Sequence, residues 1–347
     1  MLIQFAAFVV IVAGIMSAKS IIIPFLLAAF MAIICGPPLY WLRTKGVPPF
    51  LSVVILVLVL IGIEMVIASL IGSSLADFST NLPFYQSRLK EIMGNALSWL
   101  EGHGIQLTDR IILEQFDPGK LMGLAANTLN RMGSLLTNTF IIILTFVFIL
   151  LEAAGFPDKL KAMVGDRDYS QDDYAQIIKG VNKYMVLKTF TSLLTGILVA
   201  VFLRIIGVDF AGMWGLVAFL LNFVPTVGSI IAAIPAVLLA LVQLGLGTAT
   251  TTAACYLVIN TLVGNILEPK IMGSGIGLSP LVIWVTMAFW GWVLGPVGML
   301  LSVPLTMTLK IALNGNEKTR WIALLLGSNA DARAALTVRE EPATEES

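Results

Sequence analysis

Few side chains in this 347-residue sequence could do chemistry, and most of those lie inside long apolar runs. The densest group is Gly264-Asn265-Ile266-Leu267-Glu268-Pro269-Lys270-Ile271-Met272-Gly273. Pro269 is expected to end a helix and leave free carbonyls, with Asn265 and Glu268, three residues apart, on one face of its last turn. At that spacing Glu268 and Lys270 can neutralise one another. A second group is Asn222-Phe223-Val224-Pro225-Thr226-Val227-Gly228-Ser229, where Pro225 and Gly228 interrupt an apolar segment beside the amide of Asn222 and the hydroxyls of Thr226 and Ser229. Such groups suit an uncharged, oxygen-rich solute. Glu64 and Lys188, each in its own apolar run, join Glu268 as candidates for coupling to a proton or cation, because ionisable groups at membrane depth are costly and mark pathways. Plainer roles compete with these. Glu64 can be satisfied by a neighbour, Lys188 can snorkel towards headgroups beside Lys183, and Gly273, Gly275 and Gly277 can simply close a helix end.

Other chemistry is excluded by what is missing. There is one histidine, His103, and the two cysteines, Cys35 and Cys255, are isolated in apolar runs, so neither a metal set, a Ser-His-Asp set nor a disulfide framework can be assembled. The Gly-Xaa-Gly spacing after Met272 lacks a following Lys-Ser/Thr and a preceding strand, which removes a phosphate loop. No catalytic residue, metal or cofactor is expected. Lys plus Arg and Asp plus Glu are balanced at 21 each, so no net charge points to nucleic acid.

The elements that must position these groups are membrane helices. Hydrophobic residues make up 58% of the chain and charged residues 12%, with a mean hydropathy of +0.93, a composition that needs lipid as its solvent. Counted against the roughly 20 residues that cross a bilayer, the runs predict spans at 2–16, 21–42, 50–71, 135–151, 186–206, 250–266, 281–294 and 297–313. A cleavable leader competes for the first run, but no Lys or Arg precedes it. Residues 211–246 are too long for one crossing, so a re-entrant hairpin turning at Asn222–Ser229 is expected. The fold class is therefore an all-α polytopic membrane protein: about eight transmembrane helices, the hairpin and a helical extramembrane segment. The domain reading is 1–72 N-terminal transmembrane helices, 73–134 extramembrane, 135–151 a further transmembrane helix, and 152–185 a cytoplasmic amphipathic segment; 186–313 then forms a transmembrane core and 314–347 a cytoplasmic tail. In 73–134, Leu75, Phe78, Leu82, Leu89, Ile92, Leu97 and Leu100 recur mostly at helical spacing.

Basic residues set the sidedness. Arg43 and Lys45, then Lys159, Lys161, Arg167, Lys179 and Lys183, then Lys310, Lys318 and Arg320 fall on one side when the hairpin returns to its starting face. Both termini are then cytoplasmic and 73–134 is outside. Two interrupted elements in an apolar background point to a wet niche that binds a small polar solute. Three functions compete on these residues: export of a small polar signal, cation/proton exchange through Glu64 or Glu268, and a membrane scaffold that moves nothing.

The motifs at 222–229 and 264–273, with Phe289-Trp290-Gly291-Trp292-Val293-Leu294-Gly295-Pro296, Ser302-Val303-Pro304-Leu305, Leu150-Leu151-Glu152 and Tyr184-Met185-Val186-Leu187-Lys188-Thr189, resemble the autoinducer-2 exporter family of PerM-like permeases over nearly the whole chain. Lys270 stands where that family more commonly has Arg, Ser274 where a basic residue is frequent, and Ala236 in place of a second proline. The resemblance implies a homo-oligomeric secondary transporter of the bacterial inner membrane. Some members export the quorum-sensing signal autoinducer-2, and others exchange sodium or lithium for protons.

Overall fold

The computed structural model describes residues 2–103, 123, 139–153, 171–225, 227–272, 277–315 and 319–328. Every element among them is helical: α1 Leu2–Ser17, α2 Lys19–Thr44, α3 Pro49–Gly102, α4 Thr139–Ala153, α5 Gln171–Ile206, α6 Ala211–Leu221 and α7 Val227–Leu244. They continue as α8 Leu246–Asn260, a π-helical segment Thr261–Leu267, α9 Glu268–Met272, α10 Pro280–Leu294, α11 Pro296–Asn314 and α12 Arg320–Leu326. The all-α polytopic expectation holds. Among the described residues six helices are long and apolar enough to cross a membrane: Lys19–Thr44, Pro49–Asn95, Gly180–Ile206, Val227–Leu244, Leu246–Ile271 and Pro296–Asn314. Phe5–Ser17, Thr139–Glu152, Ala211–Leu221 and Pro280–Leu294 are shorter apolar helices.

Glycine and proline set the joints. Gly295, at φ 70°, ends α10, and Pro296, which needs no amide hydrogen at the first turn, starts α11. Prolines also sit inside helices, at Pro24, Pro37 and Pro38 of α2, Pro83 of α3, Pro235 of α7 and Pro304 of α11. Transmembrane helices tolerate them because neighbouring helices and hydroxyl side chains satisfy the freed groups. The boundary expected at residue 72 is not a break. α3 runs on through it for 54 residues, about 80 Å at 1.5 Å each, so the polar part of 73–134 begins as a continuation of the third apolar run. Residues 104–122 and 124–138, most of 152–185 before Gln171, and the tail after Ser328 lie outside the described residues.

The chain divides into two compact units. The first, of residues 1–56, 141–191 and 266–347, is built on the α10–α11 pair with α1, α2 and α12. Its core gathers Phe30, Tyr184, Met185, Leu278, Leu301 and Val303, with a second cluster of Val12, Val293 and Leu294. Gly298 admits the close α10–α11 approach, since a β-carbon there would overlap the Trp290 carbonyl.

The second unit, of residues 57–140 and 192–265, is built on the α6–α7 and α7–α8 pairs. Gly196 and Gly215 bring α5 and α6 into backbone contact, and a β-carbon on Gly196 would lie 2.7 Å from the Gly215 carbonyl oxygen. In the same unit Ile71, Ser74, Phe78, Tyr85 and Leu89 form the buried stripe of α3. Phe78 meets Phe210 edge-on at 6.0 Å, and the Tyr85 hydroxyl donates to Asp209 at 2.8 Å. Of the stripe expected from sequence, Phe78 and Leu89 are buried, and Tyr85 joins them.

Candidate functional site

Proline geometry governs the first group of polar residues. Pro269 cannot donate to the Asn265 carbonyl, and an uninterrupted α-ladder would press its ring against that carbonyl. The backbone does not end there, as the sequence suggested. It widens instead into the π-helical segment Thr261–Leu267 and returns to α-helix over Glu268–Met272. The wider turns rotate successive side chains less, so the expected shared face of Asn265 and Glu268 is lost: Asn265 is exposed and Glu268 half-buried. Lys270 is exposed as well, and Glu268 is not neutralised by it.

The partner of Glu268 is Lys188, 80 residues earlier on α5. Its ammonium lies 2.9 Å from both Oε1 and Oε2, and the two side chains are 6% and 14% exposed. Lys188 therefore does not snorkel. Burying an ammonium costs solvation, and the symmetric contact to both carboxylate oxygens offsets that cost with an opposite charge and two hydrogen bonds. Tyr184, one turn earlier on α5, is buried with Phe30, Met185 and Leu278 in the core of the same unit. The Thr191 hydroxyl donates to the Lys188 carbonyl at 3.1 Å, and Lys310 Nζ donates to the Gly277 carbonyl at 2.6 Å, holding the start of the segment that leads to α10. Gly273 and Ser274 lie outside the described residues.

The second group lies in the other unit, at the joint of α6 and α7. The chain leaves α6 at Leu221 and turns through Asn222–Pro225, where the Val227 amide donates to the Pro225 carbonyl at 2.6 Å. Gly228 is required here, because a β-carbon would overlap the Leu221 carbonyl and lie 3.1 Å from Val224 Cβ. Asn222 is buried, and its side-chain amide donates to Ser192 Oγ on α5 at 3.0 Å. Ser192 and Thr195 are buried polar residues that the sequence reading passed over; their signal was a hydroxyl-bearing residue at each of 189, 191, 192 and 195 inside an otherwise apolar helix. Pro225 and Ser229 are half-buried, and Thr226 lies outside the described residues. Glu64 is half-buried among outward-facing Ile63, Met65 and Val66, and makes no ion pair or hydrogen bond among the described residues.

The arrangement therefore offers a buried, hydrogen-bonded ion pair beside a π-helical segment, and a broken helix whose amide is held by a serine. Both are features that membrane transport proteins use at depth. Residues 5–317 match the family model described as AI-2E family transporter. The chain belongs to the AI-2E transporter family. Its relatives include the AI-2 transport protein TqsA of Escherichia coli K12, 39% identical over 318 residues that cover 92% of each chain. A putative transport protein of Haemophilus influenzae is 37% identical over 336 residues, 95% of this chain and 97% of that one. The putative transport protein YhhT of Escherichia coli K12 is 33% identical over 326 residues, 94% of this chain and 93% of its own. Family membership and the helix composition make this a multi-pass membrane transporter, and the scaffold reading is set aside.

Proposed function

We propose that this transporter is a secondary exporter in the bacterial inner membrane, carrying a small polar signal of the autoinducer-2 type out of the cell. The observation that carries the reading is the 39% identity to the AI-2 transport protein TqsA across 92% of both chains. The site chemistry agrees with it. Asn222 and Ser192, beside the turn at Asn222–Pro225, offer a neutral amide and hydroxyl suited to a hydroxyl-rich solute. Both termini are cytoplasmic and 73–134 is extracytoplasmic, on the distribution of basic residues in short loops. The working form is a homo-oligomer, as the family resemblance implies. Asn222, Pro225, Thr226, Gly228 and Ser229 line the solute path, and Glu268 with Lys188 couples its opening to an ion. Asn265, Lys270 and Glu64 are secondary in this scheme, being outside both polar contacts.

The test compares cells with and without the gene. Loss of the gene should raise intracellular autoinducer-2 and lower it in the medium, and restoring the wild-type chain should reverse both. An unchanged distribution would refute export of this signal.

The ion pair favours one second reading, sodium or lithium exchange against protons. If Glu268 takes up a proton, Lys188 is left charged and unpaired in a buried position, so protonation and rearrangement are energetically linked. In proteoliposomes, Glu268→Gln should then abolish sodium-dependent pH changes. Exchange that survives the substitution would remove Glu268 as the proton carrier and leave Glu64.

A further inference from the structure

In the first unit α12 crosses the end of the α10–α11 pair, and both of its ends are tied there. Before it, the Thr319 hydroxyl donates to the Leu313 carbonyl in the last turn of α11 at 2.7 Å. At its close, the Leu326 carbonyl accepts from the amide of Ser279, the cap of α10, at 3.3 Å. Seven residues at 1.5 Å each give α12 a length of about 10 Å, the ordinary distance between two packed helix axes. It therefore bridges the pair sideways, at the level where α11 ends. Since α11 is long and apolar enough to span the bilayer, that level is the bilayer surface.

The two faces of α12 differ. Ala323 is buried, and Leu326 packs against the core cluster of Phe30, Leu278 and Leu301. Trp321, Leu324 and Leu325, three and four residues apart, share the other face and are 61%, 38% and 68% exposed. Arg320 is the only polar residue of α12. One turn from Leu324, it stands at the edge of the exposed face, is itself exposed, and makes no hydrogen bond or ion pair among the described residues. A tryptophan and two leucines left in water would be an unfavourable surface. The chain beyond Ser328 has only Leu336 and Val338 as large aliphatic residues to cover them.

We infer that α12 lies in the membrane surface. Trp321, Leu324 and Leu325 sit at the boundary of acyl chains and headgroups in the leaflet where α11 ends, and Arg320 binds the phosphate of an anionic phospholipid. Position says what covers this face. The Leu326–Ser279 bond sets α12 beside the first turn of α10, an apolar helix on which Leu281 is 73% exposed, so the lipid-facing surface continues onto α12. Residue type agrees with position. Tryptophan favours the headgroup level, arginine pairs with phosphate through two N–H groups, and a short helix with one apolar face lies in the surface rather than crossing it. The expected 314–347 tail thus begins with a membrane-seated element that fixes the depth of the α10–α11 pair. On the sidedness proposed above, its leaflet is the cytoplasmic one, where anionic lipids attract basic residues beside a span.

The test uses the full chain with Cys35→Ser and Cys255→Ser, carrying one nitroxide at Leu325→Cys, in nanodiscs of phosphatidylethanolamine and phosphatidylglycerol. Collisions with oxygen, which concentrates in lipid, and with a nickel chelate, which stays in water, are read by electron paramagnetic resonance. The oxygen-to-nickel ratio should stand severalfold above that of glutathione carrying the same label, and below that of a label at Trp284→Cys, further along the exposed side of α10. Replacing phosphatidylglycerol by phosphatidylcholine should lower it, and so should Arg320→Gln. A ratio equal to that of glutathione would overturn the assignment, and a ratio indifferent to both changes would overturn the headgroup contact. Low collision with both reagents would overturn it too, giving the face to a second copy if the spectrum shows dipolar broadening and to another segment of this chain if it does not. If the cysteine-free chain fails to fold, as judged by gel filtration, quenching by brominated lipid is compared between the wild type and Trp321→Phe, and equal quenching in the two is equally fatal.

Discussion

Removing Lys188 alone should harm the protein more than removing Lys188 and Glu268 together. At 2.9 Å and an effective dielectric of about 20, the gross attraction between ammonium and carboxylate is roughly 6 kcal/mol. Much of it is offset by the desolvation of two side chains only 6% and 14% exposed. Truncating one partner leaves the other charge buried and unpaired, which costs about 3–5 kcal/mol, whereas replacing both with neutral groups of similar volume is close to neutral. Lys188→Met should therefore lower the detergent-solubilised melting temperature sharply, Glu268→Gln should lower it too, and the double variant should recover most of the loss. The assay is thermal unfolding followed by cysteine-reactive dye: Cys35 is buried in the first unit and Cys255 half-buried in the second, so their exposure reports the opening of each. Additive losses in the double variant would show that the 2.9 Å contact carries no coupling energy, and the account of the site would fail. Transport by the double variant separates stability from coupling: a stable chain with no flux places the pair in the transport cycle.

Three further outcomes follow from local geometry. Gly228→Ala should destabilise by about 1–3 kcal/mol and depress transport, because the new methyl meets the Leu221 carbonyl; a variant as stable and active as wild type in melting and uptake assays would show that the 222–226 turn is pliable. Pro269→Ala restores the missing amide and should let the Thr261–Leu267 segment revert towards α-helix, stabilising the chain while reducing flux, with the π turns still present in its structure as the contrary result. Tyr85→Phe removes the bond to Asp209 and should cost about 1.5 kcal/mol and increase proteolysis of α3 beyond residue 72, measured by limited digestion; unchanged digestion would show that the phenyl packing alone holds α3.

Hydropathy and proline placement are short-range properties, and what depends on them was legible along the chain. The lipid environment, the helical class and the turn at Asn222–Pro225 all follow from residues within one or two helical turns of one another, because a buried backbone must satisfy itself locally and Pro and Gly mark where it cannot. The same local reasoning failed at Pro269. It treated the proline as a stop, whereas a π-helical segment absorbs the lost hydrogen bond and carries the helix on to Met272.

Pairing was a matter for the tertiary structure. Glu268 had a basic residue two positions away and chose one 80 positions away, since Lys270 points to an exposed surface while α5 presents Lys188 to the same interior. Asn222 found Ser192 in the same manner, 30 residues distant. Spacing along a helix says which side chains share a face, but the enclosure that makes a charge seek a partner is created by elements meeting in space. Only the packed bundle sets how much water remains around Lys188 and Glu268, and with it whether they must pair.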